Sequence, residues 1–361
     1  MESHAPNQAQ TTEVPKTILS IKDLHTYFYT VVGVARALNG VSLDVPYGKV
    51  LGVVGESGCG KSVTALSAMR LVLPPGKIIQ GSITLNKIRK QGDFYQVVDE
   101  IDITGLDPHG SKIRSIRGSD IAMIFQEPMT SLNPSYTVGN QIIEAILLHQ
   151  DVSEDEARDR AINILRRVEL PNADAAVDRY PHELSGGMRQ RAMIAMALSC
   201  TPSLLIADEP TTALDVTTEA EILELMRELQ AQMGMTTMFI THNLGVVAQT
   251  CDYVAVMYLG RVVERAPIDD IFYNPHHPYT RALLRSIPRI GKRTKQRLEP
   301  IRGVVPDPYS RVSGCPFHDR CSDYMPGTCD VNVPAMTTLP DNPEHQVRCF
   351  LHSEATEGEP R

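Results

Sequence analysis

Lys49-Val50-Leu51-Gly52-Val53-Val54-Gly55-Glu56-Ser57-Gly58-Cys59-Gly60-Lys61-Ser62 is the stretch on which the fold turns. Lys49 to Val54 reads as a compact apolar strand, and Gly55 to Ser62 satisfies the pattern G-x-x-x-x-G-K-[ST]. Val63 to Leu73 then reads as a helix that ends before Pro74-Pro75. Strand, glycine-rich loop and helix in that order are the context the pattern requires. The chemistry explains the spacing. Across Gly55, Ser57, Gly58, Cys59 and Gly60 the glycines let successive backbone N–H groups converge on phosphate oxygens, while the helix N-terminus adds positive potential. Lys61 is then placed to reach β- and γ-phosphates, and Ser62 to ligate magnesium.

Further along, Leu204-Leu205-Ile206-Ala207-Asp208-Glu209 is an apolar strand ending in two acids. That ending places both carboxylates at the C-terminal edge of a sheet, where open α/β folds bind ligands. Asp208 would hold the magnesium through water, and Glu209 would accept a proton from an attacking water.

Between these landmarks the texture changes several times. Ile18 to Val45 alternates apolar and polar residues, broken at Val32-Gly33 and Asn39-Gly40, and suggests an antiparallel meander. From Pro128 to about Arg179 apolar residues recur at amphipathic spacing, among them Ile142, Ile146, Ala161 and Leu165, which points to an inserted helical subdomain. Strand signals at Leu204 to Ala207 and Thr237 to Thr241 stand beside helices at Met188 to Ser199 and Thr218 to Gln232, so the main sheet is expected to be largely parallel and covered on both faces. After Pro275 the chain becomes Pro-rich and basic, through Lys292, Arg293, Lys295 and Arg297, and then cysteine-bearing, as a separate appendage would be.

Composition sets the outer limits. With 361 residues, 42% of them hydrophobic, the chain can bury a sizeable core plus an appendage. A net charge of -8 gives no global basic field of the kind that draws proteins onto nucleic acid. The longest apolar runs, Val50 to Val54 and Ala192 to Leu198, fall far short of the roughly 18 to 20 residues that cross a bilayer. The polar stretch from Met1 to about Lys16 reads as a flexible tail and not as a secretory signal, so a cytoplasmic location is expected.

Leu184-Ser185-Gly186-Gly187-Met188-Arg189-Gln190-Arg191 starts a helix about 20 residues before Asp208. Ser185 and the Gly186-Gly187 backbone can donate to a phosphate there, or simply cap the helix. Together with the phosphate loop and the acidic strand end, this segment resembles the signature sequence of the ATP-binding cassette (ABC) family. The resemblance implies that Ser185, Gly186 and Gly187 meet the γ-phosphate of ATP held by an opposite subunit. It also implies that Gln126, in Ile124-Phe125-Gln126-Glu127-Pro128, contacts magnesium and water, and that Asp215 lies in a loop crossing the dimer interface. His242, after the strand Thr237 to Thr241, resembles the switch histidine that senses the γ-phosphate. Phe28 fits the position of an aromatic that stacks on adenine, with Tyr27 and Tyr29 as neighbours able to do the same. The fold implied is α/β of the RecA-like P-loop NTPase kind, a mixed sheet with an antiparallel β subdomain, an inserted helical subdomain over about 127–190, and a cysteine-bearing extension.

Within that family the resemblance runs from about Ile18 to the C-terminus and is nearest to ATPase subunits of oligopeptide and dipeptide permeases. Phe125 to Pro134, His277-Pro278-Tyr279-Thr280-Arg281-Ala282-Leu283-Leu284 and the cysteine region carry it. It divides the chain into a tail at 1–17, a nucleotide-binding domain at 18–285 and an extension at 286–361. Cys315, Cys321, Cys329 and Cys349 crowd into a segment with little apolar core of its own, which would need a cross-link or metal to fold. Iron-sulfur and zinc both suit four thiolates, with unligated thiols as the third option. The resemblance implies a 4Fe-4S cluster.

The function expected is that of an ATP-hydrolysing subunit of a membrane importer, using ATP and Mg²⁺ and peripheral to the cytoplasmic face of the inner membrane. Its implied partners are a second homologous ATPase, two transmembrane permease subunits and, through them, an extracytoplasmic solute-binding protein, with no nucleic acid. Di- and oligopeptides are the expected cargo, with nickel or another small solute as the alternative. A soluble cassette ATPase acting on nucleic acid is the competing class, disfavoured by the negative charge and the absence of long heptad runs.

Overall fold

The computed structural model describes residues 17–91, 94–126, 131–212, 214–286 and 301–353. The tail before Thr17, residues 127–130 of the stretch after Phe125, position 213 and the basic stretch at 287–300 lie outside the described residues.

The first half of the chain runs β1 (Thr17–Tyr29), β2 (Val34–Pro46), β3 (Val50–Val54), α1 (Lys61–Ala68), β4 (Gly76–Gln91), β5 (Phe94–Asp102), α2 (Ser111–Ile116) and β6 (Ile121–Ile124). Helices α3 (Val138–His149), α4 (Glu154–Arg167), α5 (Ala173–Ala176) and α6 (Gly186–Leu198) follow. The chain then alternates β7 (Leu204–Asp208), α7 (Val216–Met233), β8 (Thr236–Ile240), α8 (Leu244–Thr250) and β9 (Tyr253–Tyr258). It continues through β10 (Arg261–Pro267), α9 (Ile268–Tyr273) and α10 (Pro278–Arg285) to β11 (Thr337–Leu339) and β12 (Asn342–Val347).

Two sheets result, an antiparallel one ordered β2-β1-β4-β5 and a mixed one ordered β11-β12-β10-β9-β3-β8-β7-β6. In the second, β9, β3, β8, β7 and β6 are mutually parallel. These strands read as continuous apolar runs because both faces are covered. Alternate residues of β7 serve different cores: Leu204 and Ile206 face the antiparallel sheet with Ile18 and Leu51, whereas Leu205 and Ala207 face the helices with Ile194 and Leu225.

The helical insertion forms where the amphipathic spacing places it. Thr137 caps α3 by accepting the Asn140 N–H, and Ser153 caps α4 by accepting that of Glu156, each at 3.2 Å. Acids fill the first turn of α4 and Arg166 and Arg167 its last, in line with the helix dipole. Leu165 is fully buried between the packed helices. We expect Leu165→Ala to cost about 2–5 kcal/mol in urea unfolding, less the further the site collapses.

The antiparallel sheet is larger than the meander expected over Ile18 to Val45. Strands β4 and β5 extend it, and they escaped the sequence pattern because among β4 apolar residues only Ile83 and Leu85 are fully buried. With so few buried apolar positions there is little period-2 contrast to read. Among the described residues no helix is long and apolar enough to cross a membrane.

The C-terminal segment joins the main sheet. Strand β12 pairs antiparallel with β10, Glu264 opposite Val347 and Arg265 opposite Gln346. Phe317, buried, meets the rings of Tyr258 and Tyr279 at centroid distances of 5.3 Å. Buried Glu264 accepts backbone N–H bonds from His276 (2.6 Å) and His277 (3.1 Å) and bonds the His345 ring at 2.8 Å.

This packing corrects the expectation of an iron-sulfur or zinc site at Cys315, Cys321, Cys329 and Cys349. Among the described residues no group of three or more His, Cys, Asp or Glu side chains is arranged to hold a metal ion, and all four cysteines are free. Burial pushes the Cys315 thiol up to about 12 and the Cys349 thiol to about 11, with their sulfur neighbours adding to the shift, and burial raises Cys321 as well. The premise that the segment must supply its own cross-link fails because it borrows the cassette core instead.

Candidate functional site

The parallel strands deliver the sequence-predicted residues to one sheet edge. Val53 pairs with Ile240, Ile240 with Asp208 and Ala207 with Ile124, so the loop after β3, His242 after β8, Asp208-Glu209 at the end of β7 and Gln126 after β6 all emerge together. This is the carboxyl edge at which open α/β sheets bind ligands.

Gly55 to Ser62 forms the loop between β3 and α1. Gly60 has φ of +105°, and a Cβ there would fall 2.6 Å from the Ala37 carbonyl oxygen, so the position demands glycine. Lys61 is 6% exposed and its Nζ donates to the carbonyls of Gly55 (2.8 Å) and Glu56 (3.2 Å), which lays the cation along the loop. The Cys59 thiol is pushed up chiefly by burial, against the nearby Lys61 charge.

Ser62 Oγ donates to Asp208 Oδ1 at 3.1 Å across the sheet edge. Asp208 is 3% exposed; burial raises its carboxyl, the Ser62 bond offsets part of this, and the Glu209 charge adds to it. A buried carboxylate short of compensating charge, beside a hydroxyl, is an oxygen donor set that suits Mg²⁺.

Glu209 is the hub of the polar network. Burial opposes its charge, yet bonds from His242 and Thr212 outweigh that and hold the carboxyl below the usual glutamate value. His242 Nδ1 lies 3.1 Å from Oε1, Gln126 Nε2 donates to Oε2 at 3.1 Å, and Thr212 Oγ1 donates to Oε2 at 3.0 Å. The Glu209 backbone has φ of +46°, a left-handed conformation uncommon outside glycine, fixed by its N–H bond to the Ile240 carbonyl at 2.9 Å. Thr212 was not singled out from sequence. Nothing distinguishes it locally from Thr211 beside it.

Ser185, Gly186, Gly187 and Asp215 come together elsewhere. They line a cavity of about 430 Å³ with Arg191 and Thr218, and no residue of the phosphate loop lines it. Ser185 caps α6 by accepting the Met188 N–H at 3.3 Å, and Asp215 caps α7 through Thr218 N–H at 3.0 Å. Gln190, fully buried, ties α6 to the loop after Glu209 by donating to the Pro210 carbonyl.

The aromatics near the end of β1 divide. Tyr27 lines a cavity of about 740 Å³ together with Ala35, Ala37, Gly58 and, from the extension, Ser310 and Arg311. Phe28 is half-buried outside that lining, with its ring so close to Gly76 that a Cβ there would fall 2.6 Å from Cε1.

A phosphate loop, a buried aspartate on its serine, and a glutamate held by histidine and glutamine define the site of a P-loop ATPase. Comparison with known proteins narrows this. The family model described as "ABC transporter" matches residues 38–212, and that described as "Oligopeptide/dipeptide transporter, C-terminal region" matches residues 263–329. A probable peptide ABC transporter ATP-binding protein, y4tR, of Sinorhizobium fredii is 48% identical over 339 residues, covering 93% of this chain and 96% of its own. The dipeptide transport ATP-binding protein DppD of Bacillus subtilis is 46% identical over 342 residues, covering 94% of this chain and 96% of its own. Among solved structures, the dimeric bacterial ABC transporter cassette MJ0796 aligns with a TM-score of 0.58 at 26% identity over 69% of this chain and 98% of that one. CbiO1 of Clostridium perfringens aligns with a TM-score of 0.57 at 28% identity over 72% of this chain and 92% of that one. The chain therefore belongs to the ABC transporter ATPases, in the oligopeptide/dipeptide permease subfamily. The RecA-like fold expected from the sequence is the one shared with these structures, and ATP binding and hydrolysis are its activity.

Proposed function

We propose that this subunit powers the import of di- or oligopeptides, working as half of an ATPase pair on the cytoplasmic face of a membrane. The relatives named for peptide and dipeptide transport support the cargo class. The observation that carries the pairing is that no residue of the phosphate loop, and none of Asp208, Glu209 and His242, lines the Ser185-Gly186-Gly187 cavity. A chain whose two half-sites do not share a cavity needs a second cassette to complete either, and the related cassette MJ0796 is described as dimeric. In this reading residues 18–285 form the nucleotide domain and 286–361 the extension, and two permease subunits with an extracytoplasmic binding protein complete the assembly.

The geometry supports the following roles. Loop N–H groups of Gly55, Ser57, Gly58, Cys59 and Gly60 and the Lys61 ammonium bind the phosphates, and adenine stacks at the Tyr27–Phe28 end of β1. Ser62, Asp208 and Gln126 would hold Mg²⁺, which neutralises charge on the β- and γ-phosphate oxygens when bound. Glu209, kept ionised by its donors, takes the proton of the attacking water. His242 and Gln126 orient that carboxylate and report on the γ-phosphate, while Ser185, Gly186, Gly187 and Asp215 close over the partner's nucleotide.

Purification in mild detergent tests the reading. The chain is expected to come with membrane subunits and a second cassette, and turnover of that complex is expected to rise on adding peptide-loaded binding protein. Stimulation by nickel-loaded binding protein alone would replace the cargo, and co-purification with nucleic acid and no membrane protein would end the transport assignment.

A further inference from the structure

Glu56 occupies a variable position of the phosphate loop, one to which phosphate chemistry assigns nothing. Here it is the best-tied residue of that loop, and the ties come from the far C-terminal part of the chain. Its carboxylate accepts from Arg320 Nη1 at 2.7 Å and from Nη2 at 3.0 Å, one oxygen to each nitrogen. Its backbone N–H donates to Tyr279 Oη at 3.0 Å, and its carbonyl accepts from Lys61 Nζ at 3.2 Å.

Arg320 is itself fixed in place. Its side chain is 4% exposed, Nε donates to the Arg302 carbonyl at 2.9 Å, and Nη1 also donates to Tyr258 Oη at 3.2 Å. The guanidinium lies 5.6 Å from the Tyr258 ring centroid and 5.9 Å from that of Phe317. A planar fork held on both sides transmits position and not merely charge. The same segment touches the cavity beside the loop at a second place, where the Arg36 N–H donates to the Pro308 carbonyl at 3.3 Å and Tyr309 stands against Gly33.

We propose that the C-terminal extension sets the shape of the phosphate loop in cis, with Arg320 acting through Glu56 as a positioning residue for nucleotide binding. Gly55, Gly58 and Gly60 all have positive φ, so the loop has much backbone freedom to lose when its N–H groups converge on phosphate. Clamping Glu56 at its carboxylate and its N–H removes part of that loss beforehand, and the Lys61 bond to the Glu56 carbonyl carries the same constraint to the phosphate-binding cation.

The inference rests on Gly55 to Ser62 being the ATP phosphate site, and the test separates the two. In the full chain assembled with its membrane partners, Arg320→Ala, Arg320→Lys, Glu56→Gln and the exchanged pair Glu56→Arg with Arg320→Glu are compared, with Lys61→Ala as the control. Fluorescent-ATP affinity, KM and kcat are measured. Loss of the fork is expected to weaken nucleotide affinity and raise KM about tenfold, with kcat held within about twofold. Arg320→Lys should recover part of the loss and the exchanged pair more. If Arg320→Ala fails to fold, Glu56→Gln carries the measurement, being near-isosteric. Unchanged affinity and KM in Glu56→Gln, with or without a lower Tm, would overturn the proposal and leave the pair a staple of the fold. ATP binding that survives in Lys61→Ala would instead remove the phosphate-loop assignment itself.

Discussion

Glu209→Gln is expected to leave ATP bound and stop its hydrolysis, lowering turnover of the assembled transporter by about 10² to 10⁴. The substitution keeps the side chain's size and its ability to accept from Thr212 and Gln126, so the loop should hold its shape. It removes the carboxylate whose pKa the His242 and Thr212 bonds hold below the ordinary glutamate value, and with it the proposed acceptor of a proton from the attacking water. The left-handed backbone at Glu209 strengthens the expectation, because such a conformation is maintained only where the surroundings over-determine it. Two measurements separate chemistry from binding: nucleotide affinity, expected to be unchanged, and single-turnover phosphate release, expected to collapse. Wild-type rates in Glu209→Gln would place the base elsewhere.

That the same residues were legible in the sequence follows from where they sit. Asp208 ends and Glu209 follows β7, while Gln126 and His242 lie two residues past the ends of β6 and β8, and parallel strands in register carry such positions to one edge however far apart they are in the chain. The phosphate loop is likewise a local pattern, fixed by glycine stereochemistry over a few residues. Ties that depend on distant segments left no such mark. Arg320 reaches Glu56 across 264 positions, and Tyr279 across 223, with nothing in either neighbourhood to announce the other. Strands β4 and β5 were hidden because few of their apolar residues are buried. The cysteine segment misled for a related reason: its scant apolar core and its family resemblance suggested a metal-knit module, whereas the apolar surface that stabilises it belongs to β9, β10 and α10, far upstream. Local chemistry can be read from local sequence; the packing partner of a weak segment cannot.

The half-site at the start of α6 supplies the second large effect. Gly186→Asp is expected to leave the subunit folded and able to bind ATP, yet to lower turnover of the assembled transporter on the order of 10²-fold or more. A Cβ at Gly186 meets nothing within 4 Å, so the side chain enters open space without displacing the helix. A carboxylate in the first turn also favours the helix dipole, and thermal stability should therefore hold or rise slightly. The same carboxylate stands at the mouth of the cavity that Ser185, Gly187 and Asp215 line, where a γ-phosphate from the facing subunit is proposed to dock. Two like charges at about 5 Å repel by roughly 3 kcal/mol at an effective dielectric of about 20, and that is enough to hold the pair open. Gly186→Asn, which matches the size without the charge, should retain far more activity and so distinguishes repulsion from bulk. The decisive comparison is between isolated and assembled protein: fluorescent-ATP affinity of the lone chain should be indifferent to Gly186→Asp, since no residue of its own phosphate loop lines the Gly186 cavity. A parallel loss of affinity in the lone chain would mean that Gly186 serves its own nucleotide, and the reading of two half-sites completed across an interface would have to be abandoned.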